Sequence, residues 1–255
     1  MKTRILWTFC ALEALFDAVE FTPSVSLAKK AAFDVEFATV NLPPVLRQAL
    51  GRPLPGVRAH RQYAPELAYG RHQGPQPADA RPAAVLALFY PRDQIWNLVL
   101  TLRSDHLQDH PGQVSFPGGA LKTGESAEQG ALRELNEELG VATDRVELVG
   151  RLSPIYVFNS NFSVQPIVGM LDESPVFRSN ASEVAEVIEV PLSALLKWVP
   201  ENMQWILQPS VSFIAPAVSW QQRKVWGATL LILGELIEVL RATAHEWNAP
   251  QGAGG

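Results

Sequence analysis

The sequence predicts an α/β fold in which a mixed sheet lies between helices. Strand-length apolar segments stand both before and after one amphipathic helix at residues 127–139. A second segment of helical length, residues 224–240, comes near the end of the chain. With 47% apolar and 18% charged residues, the composition is that of a globular protein. Strands and helices in this order are typical of a sheet covered by helices.

Residues 83–90 and 95–103 predict a hairpin that turns at "PRDQ". Two later segments, "RVELVGRLSPIYV" and "SVQPIVGML", alternate or run apolar at strand length. "EVAEVIEVPLSALL" predicts a strand that runs into a short helix near Pro191. The final segment is interrupted by Glu235 and Glu238, so it predicts a helix with a solvated face and not a membrane span.

The first part of the chain predicts little regular structure. Residues 41–82 are rich in Pro, Gly, Arg and Gln, and apart from a short helix near residues 45–50 we interpret them as a linker or surface arm. The N-terminus faintly resembles a signal peptide, but acidic residues interrupt its apolar run, which favours an amphipathic helix or a loose extension. We therefore predict an extension at 1–80, one main domain at 81–245 and a flexible tail at 246–255.

Charge and cysteine content exclude several classes of function. A net charge of −5 and a pI near 5.6 argue against broad nucleic-acid binding, which needs a basic surface. Because Cys10 is the only cysteine, an internal disulfide, a thiolate zinc site and a redox pair are all excluded. A reducing, cytoplasmic setting fits this composition best, and no membrane partner is expected.

The amphipathic helix has legible ends. Ser126 is the predicted N-cap, with Gln129 three residues later completing a capping box, and Gly140 stands where a left-handed residue ends a helix. At about 100° per residue, one stripe of the helix is apolar and consists of Leu132, Leu135 and Leu139.

The opposite side of this helix carries Glu134, Glu137 and Glu138, which repel one another at such spacing. Oxygen ligands at this density suit a hard divalent cation such as Mg²⁺ or Mn²⁺. Gly130, one turn earlier, predicts open space beside the carboxylates, and Arg133 is able to orient one of them. The alternative is a solvated acidic face without a metal.

The whole segment fits Gly119, five residues, Glu125, seven residues, and then "RELNEELGV". This pattern resembles the signature of the Nudix hydrolases. The resemblance implies an α/β/α sandwich with a loop-helix-loop metal site, and hydrolysis of a diphosphate joined to another moiety. It also implies functional roles for Glu134, Glu137 and Glu138 as metal-binding carboxylates, Gly118 as a carbonyl ligand, and Arg133 with Glu125 as an orienting ion pair.

The proton acceptor is left open among four carboxylates. Glu134 and Glu138 lie on the helix, whereas Glu183 and Glu186 lie outside it. We also include Glu183 among the predicted metal ligands.

Upstream, "LTLRSDHLQDHPGQVSFPGG" resembles the second signature of the coenzyme A pyrophosphatase branch, and "EVAEVIEVPL" and "VWGAT" resemble later segments of that branch. This implies hydrolysis of coenzyme A or an acyl-coenzyme A, a small-molecule substrate, with a homodimer left open. The implied substrate contacts are Arg103, Ser104, His106, His110, Gln113 and Phe116.

One position departs from the branch pattern. Gln108 replaces its second arginine and is followed by Asp109, which removes positive charge that would suit the 3′-phosphate of coenzyme A. ADP-ribose, a dinucleotide or a nucleoside triphosphate is therefore the alternative substrate. A non-catalytic binding module with the same fold is the alternative of another class.

Overall fold

The computed structural model of the protein describes residues 41–64, 76–107, 110–208 and 211–247, apart from the side chains of 202–214 and 244–247. The predictions for the first 40 residues and for the last eight fall outside these ranges. So do Gln108 and Asp109.

The helices and strands follow one another in mixed order along the described chain. The helices are α1 (Leu42–Leu50), α2 (Val57–His60), α3 (Ala127–Leu139), α4 (Leu192–Leu195) and α5 (Gly227–Trp247). The strands are β1 (Arg81–Arg92), β2 (Ile95–Arg103), β3 (Val114–Ser115), β4 (Gly118–Ala120), β5 (Glu147–Arg151), β6 (Ile155–Val157), β7 (Phe162–Met170), β8 (Val184–Pro191), β9 (Glu201–Gln208), β10 (Val211–Trp220) and β11 (Arg223–Trp226).

The main sheet has the strand order β3-β2-β1-β7-β5, with β4, β6 and β8 paired to β1, β7 and β2. Only the β1–β7 pair is parallel among the described pairs, so the sheet is mixed as predicted. The predicted hairpin is present, and its two-residue turn consists of Asp93 and Gln94, both with positive φ. Strands β9, β10 and β11 form a separate antiparallel sheet.

Strands β1 and β2 pair only beside their hairpin turn, over residues 89–92 and 95–98. Farther along they separate, because β1 pairs with β4 and β2 pairs with β3. The chain segment 114–120 is thus inserted between the two strands. This insertion places the glycines that precede α3 inside the sheet.

Helix α3 packs on the main sheet over β1, β4 and β7. Alternate residues of β1, Leu86, Leu88 and Tyr90, join Leu135 and Leu139 of α3 in one fully buried cluster. Residues on the other face of β1, such as Phe89, are also fully buried. Because both faces of β1 are covered, it reads as a continuous apolar run.

The interpretation of residues 41–82 as a surface linker is wrong for residues 42–63. Helix α1 contacts α5 and β5, and α2 contacts α5. Leu42 and Leu46 are 0% exposed and Tyr63 is 3% exposed. The prolines and glycines around these apolar side chains made the segment look irregular, so its buried residues were not predicted. The boundary at residue 81 as the limit of an independent domain stays a prediction.

The C-terminal helix differs from its prediction in two ways. It begins at Gly227, whose φ is +60°, because Val225 and Trp226 belong to β11. Its expected solvated face is wrong at Glu235, which is 0% exposed. The Glu235 carboxylate accepts hydrogen bonds from the backbone N–H groups of Gly56 and Ser153, each at 2.9 Å. None of the described helices is long and apolar enough to cross a membrane.

Candidate active site

Helix α3 has the predicted ends. The Ser126 hydroxyl accepts from the Gln129 N–H at 3.2 Å, and the Gln129 side chain accepts from the Ser126 N–H at 2.9 Å, which completes the capping box. Gly140 ends the helix with φ +65°. The helix therefore presents its glutamates from a backbone that is fixed at both ends.

Two glycines bring β4 close to its neighbours. A Cβ on Gly118 would lie 2.4 Å from the Ala84 carbonyl oxygen, and a Cβ on Gly119 would lie 2.6 Å from Glu134 Oε1. Larger residues at these positions would push β4 away from β1 and from α3. The open space predicted beside Gly130 is absent, because a Cβ there would lie 2.2 Å from Leu121 Cδ2. Gly130 instead permits close packing of that leucine.

Arg133 is the hub of the helix's polar side. Its guanidinium donates to both oxygens of Glu125, at 2.8 and 3.0 Å, which is the predicted ion pair. It also donates to Glu134 at 2.7 Å, to Glu137 at 2.8 Å and to the Ala120 carbonyl at 3.0 Å. These hydrogen bonds raise the pKa of Arg133 and lower the pKa of Glu125 to about 2.

Three carboxylates converge beside Arg133. One oxygen from each of Glu134, Glu138 and Glu183 lies within 4.8 Å of the other two. Glu137 lies outside this group, since it faces Arg133 and Lys122 and is 46% exposed. Glu186 also lies outside it and pairs with Arg223 at 2.6 Å. The structure therefore combines two of the three predicted helix ligands with Glu183 from the loop before β8.

Burial and mutual repulsion govern protonation in this carboxylate group. Burial, followed by repulsion from Glu134, raises the pKa of Glu138 to about 8, against a weaker lowering effect of the Arg103 charge. Burial also raises the pKa of Glu134, although Arg133 opposes it. Hydrogen bonding from Arg133 lowers the pKa of the more exposed Glu137. Such clustering of unlike shifts is common at functional sites.

The carboxylate group fits a hard divalent cation. It consists of oxygen donors only, and Glu138 Oε2 is buried without a hydrogen-bond partner among the described residues. A buried, unpartnered carboxylate oxygen is costly unless something positive approaches it. Mg²⁺ and Mn²⁺ prefer such ligands.

The segment predicted to contact substrate begins beside the carboxylate group. The Ser104 N–H donates to the Glu183 carbonyl at 2.9 Å. The loop then returns to its start, because Gly112 donates to the Arg103 carbonyl at 3.2 Å and Arg103 donates to the Gln113 carbonyl at 3.0 Å. Its two ends are thereby held together at the end of β2.

The predicted substrate residues fall into two classes. His106 is exposed, and Arg103, His110 and Gln113 are half-buried. Ser104 and Phe116 are 4% and 3% exposed. Both side chains are thus buried, and their predicted contact with substrate stays a prediction.

Comparison with known proteins decides the family. The family model described as NUDIX domain matches residues 80–209, which includes β1, α3 and Glu183. The chain belongs to the Nudix family. Nudix hydrolases generally use divalent metals, which agrees with the oxygen-only carboxylate group on and beside the Nudix helix α3.

Relatives agree with this assignment. The Nudix hydrolase NudL of Pectobacterium atrosepticum, described as uncharacterized, is 40% identical over 144 residues, which are 54% of this chain and 72% of that protein. The protein of the same description from Escherichia coli K12 is 38% identical over 157 residues, covering 61% and 81%.

Solved Nudix structures are more distant. RenU, a Nudix hydrolase of M. smegmatis, is 20% identical with a TM-score of 0.39 and covers 51% of this chain and 78% of its own. The NUDIX domain of Shewanella oneidensis NrtR, solved with ADP ribose, is 22% identical with a TM-score of 0.39, covering 52% and 88%.

The contact between the loop before β8 and the Nudix helix was not predicted from the sequence. Arg178 and Asn180 donate from their backbone N–H groups to the carbonyls of Leu139 and Glu138, each at 2.8 Å. The polar run "RSNASE" gives no local signal for this contact, because its partners lie some forty residues earlier.

Proposed function

We propose that this Nudix hydrolase cleaves the diphosphate of coenzyme A or an acyl-coenzyme A. The products would be 3′,5′-ADP and 4′-phosphopantetheine or its acyl form. One observation carries the proposal: the segment that resembles the coenzyme A branch begins at the carboxylate group, through the bond from Ser104 to Glu183. A substrate held by that segment would present its diphosphate to Glu134, Glu138 and Glu183.

We assign Mg²⁺ or Mn²⁺ to these three carboxylates, with Glu137 and the Gly118 carbonyl as the further ligands that the family resemblance implies. When bound, a divalent cation supplies positive charge that offsets the charge developing on phosphoryl oxygens. Glu137 would then have to turn from Arg133 and Lys122 toward the group. Arg133 would keep its ion pair with Glu125.

The reaction breaks one P–O bond of the anhydride and joins the oxygen of water to phosphorus. A carboxylate of the chain accepts the proton that the water loses. Glu134, Glu138 and Glu183 are the candidates for this role that lie close to one another. Glu186 is the weakest of the four candidates, because Arg223 already holds it. Arg103, which the family resemblance implies as a substrate contact, would bind a phosphate oxygen through its guanidinium.

Gln108 favours a second candidate, hydrolysis of ADP-ribose, a dinucleotide or a nucleoside triphosphate, none of which carries the 3′-phosphate of coenzyme A. The third candidate, a non-catalytic binding module, conflicts with the intact carboxylate group. Both alternatives make different predictions for one substrate panel.

The test is hydrolysis of coenzyme A, acetyl-coenzyme A, 3′-dephospho-coenzyme A, ADP-ribose and ATP, with Mg²⁺ and with Mn²⁺, followed by chromatography of the products. We expect 3′,5′-ADP from coenzyme A, and no product with Glu138→Gln as the matched control. Faster turnover of ADP-ribose or ATP would select the second candidate. Absence of any hydrolysis would select the binding module.

A companion variant examines the 3′-phosphate. We expect Gln108→Arg to shift the ratio of kcat/KM for coenzyme A over 3′-dephospho-coenzyme A toward coenzyme A by about tenfold or more, since a charge-assisted hydrogen bond contributes about 1.5 to 3 kcal/mol. An unchanged ratio would mean that other residues bind this phosphate.

A further inference from the structure

The loop of residues 178–183, which includes Glu183, is hydrogen-bonded to the C-terminal end of the Nudix helix. The last carbonyls of a helix have no partner within the helix. Here the Leu139 carbonyl accepts a hydrogen bond from the Arg178 N–H, and the Glu138 carbonyl accepts one from the Asn180 N–H. The backbone of Asn180 is therefore bonded to the residue that carries one carboxylate of the metal group.

Asn180 also fixes the residue that carries another carboxylate. Its carbonyl accepts from the N–H groups of Glu183 at 2.9 Å and Val184 at 2.8 Å. Its side-chain Nδ2 donates to Glu183 Oε1 at 3.2 Å. Asn180 is thus hydrogen-bonded both to the backbone of Glu138 and to Glu183.

Ser182 determines which way the Asn180 amide faces. Asn180 Oδ1 accepts from the Ser182 N–H at 3.2 Å and from its hydroxyl at 2.7 Å. Because two donors hold the amide oxygen, Nδ2 is directed to Glu183. A neutral donor at this place orients the Glu183 carboxylate and leaves its negative charge in place. A lysine or arginine at the same place would offset that charge.

We propose that Asn180 is a positioning residue for the metal group: it holds Glu183 so that one carboxylate oxygen stays directed at Glu134 and Glu138. This inference rests on the proposed role of Glu183 as a metal ligand. Partners that hydrogen-bond to a ligating carboxylate restrict its rotation and raise metal affinity. The half-buried side chain of Asn180 forms hydrogen bonds with Ser182 and Glu183.

The test is the affinity of the full chain for Mn²⁺, measured by electron paramagnetic resonance of free and bound metal. Four proteins are compared: the wild type, Asn180→Ala, Glu183→Gln and the double variant. We expect Asn180→Ala to weaken Mn²⁺ binding by about tenfold to a hundredfold. The double variant should bind no more weakly than Glu183→Gln alone, because Asn180 acts only through Glu183.

Two further variants separate positioning from folding. Ser179→Ala changes an exposed neighbour in the same loop and should bind Mn²⁺ as the wild type does. Asn180→Ser keeps an oxygen that can accept from the Ser182 N–H but loses the amide donor, so it should show the Asn180→Ala loss with the loop turn intact. Circular dichroism and thermal melting would verify that each variant is folded.

Wild-type affinity in folded Asn180→Ser would overturn the proposal, as would losses that add in the double variant. An unchanged affinity in Glu183→Gln would remove Glu183 from the ligands and overturn it as well. A wrong substrate assignment would appear differently, as a failed hydrolysis panel beside an intact series of Mn²⁺ affinities.

Discussion

Glu138 shows how burial, together with neighbouring carboxylates, changes the chemistry of a side chain. It is 4% exposed, has an unpartnered oxygen among the described residues and lies beside two other carboxylates. Glu137, its neighbour in sequence, is half-exposed and bonded to Arg133 and Lys122. Adjacent glutamates of one motif therefore differ in environment and in the direction of their pKa shifts.

The first prediction compares these two residues. Glu138→Gln should lower kcat by several orders of magnitude, because it removes charge from the centre of the carboxylate group while keeping the shape. Glu137→Gln should also lower kcat, but by less, since Glu137 must first leave Arg133. Steady-state kinetics with saturating Mg²⁺ measures both values. A Glu138→Gln enzyme with near-wild-type turnover would refute the assignment of the site.

The second prediction concerns pH in the absence of metal. The pKa of Glu138 is raised by burial from 4.5 to about 8, so between these values the folded protein holds a proton that the unfolded chain releases. Stability is thus lost as pH rises from about 5 to 8. We expect Glu138→Gln to melt several degrees above the wild type at pH 8.5, since about 1 kcal/mol shifts Tm by about 2 to 4 °C.

Well below pH 4.5 this gap should close, because Glu138 is then protonated in both states. Mg²⁺ should stabilise the wild type more than Glu138→Gln at pH 8.5. Equal pH dependence of the two melting curves would show that Glu138 titrates normally.

At the scale of elements, the Nudix helix depends on its two ends. Ser126 and Gln129 satisfy the first N–H groups, and Gly140 allows the chain to turn toward the loop of residues 178–183. A Cβ on Gly140 would lie 2.9 Å from Arg178 Cβ and 3.0 Å from its carbonyl oxygen. The C-terminal end is therefore both a conformational and a packing constraint.

The third prediction is that Gly140→Ala destabilises the protein by about 1 to 3 kcal/mol, through left-handed strain and contact with Arg178. Gly227→Ala is the matched control: its φ is +60°, and nothing lies within 4 Å of its Cβ position. Urea unfolding should therefore show the smaller loss for Gly227→Ala. Equal losses would mean that packing against Arg178 contributes nothing.

At the scale of the molecule, Glu235 connects three parts of the chain. From α5 it accepts the Gly56 N–H, the Ser153 N–H and the Ser153 hydroxyl, and His60 Nε2 lies 3.4 Å away. Burial alone would raise the pKa of Glu235, but its contacts with His60, Ser153 and Gly56 lower it. The carboxylate thus remains charged and holds α2 and the β5–β6 connection to α5.

The fourth prediction follows from these contacts. Glu235→Ala should cost about 3 to 5 kcal/mol in the free energy of unfolding, because it leaves buried donors unpaired. Glu238→Ala, one turn later, removes an ion pair with the exposed Arg58 and should cost less than about 1 kcal/mol. Denaturant unfolding of both variants gives the comparison. Similar small losses would show that Glu235 is replaceable.

The fifth prediction concerns the N-terminal segment. A chain that starts at residue 76 lacks α1 and α2, exposes the apolar surface of α5 and deprives Glu235 of Gly56 and His60. We expect it to be unfolded or insoluble, whereas a chain that starts at residue 38 should show a cooperative melt. Wild-type hydrolysis by the shorter chain would restore a domain boundary at residue 81.

The sequence by itself determined the features that depend on near neighbours. The capping box, the ends of α3 and the turn of the β1–β2 hairpin arise from local backbone preferences, so periodicity and capping residues predicted them. The Arg133–Glu125 ion pair was predictable from the motif because both residues lie on or just before one helix. The family signature is likewise one continuous segment.

Only the tertiary structure decided which distant residues meet. Glu183 was already a predicted metal ligand, but its approach to Glu134 and Glu138 depends on the pairing of β8 with β2 and on the hydrogen bonds between the loop before β8 and the end of α3. Glu235, which looks like a solvent-facing residue of an apolar helix, is buried because α2 and the β5–β6 connection supply its donors. Residues 42–63 were likewise not predicted to pack in the core, because their composition is that of a linker. Such contacts depend on chain topology, because they join residues that are far apart in sequence. A local pattern of residue types does not determine that topology.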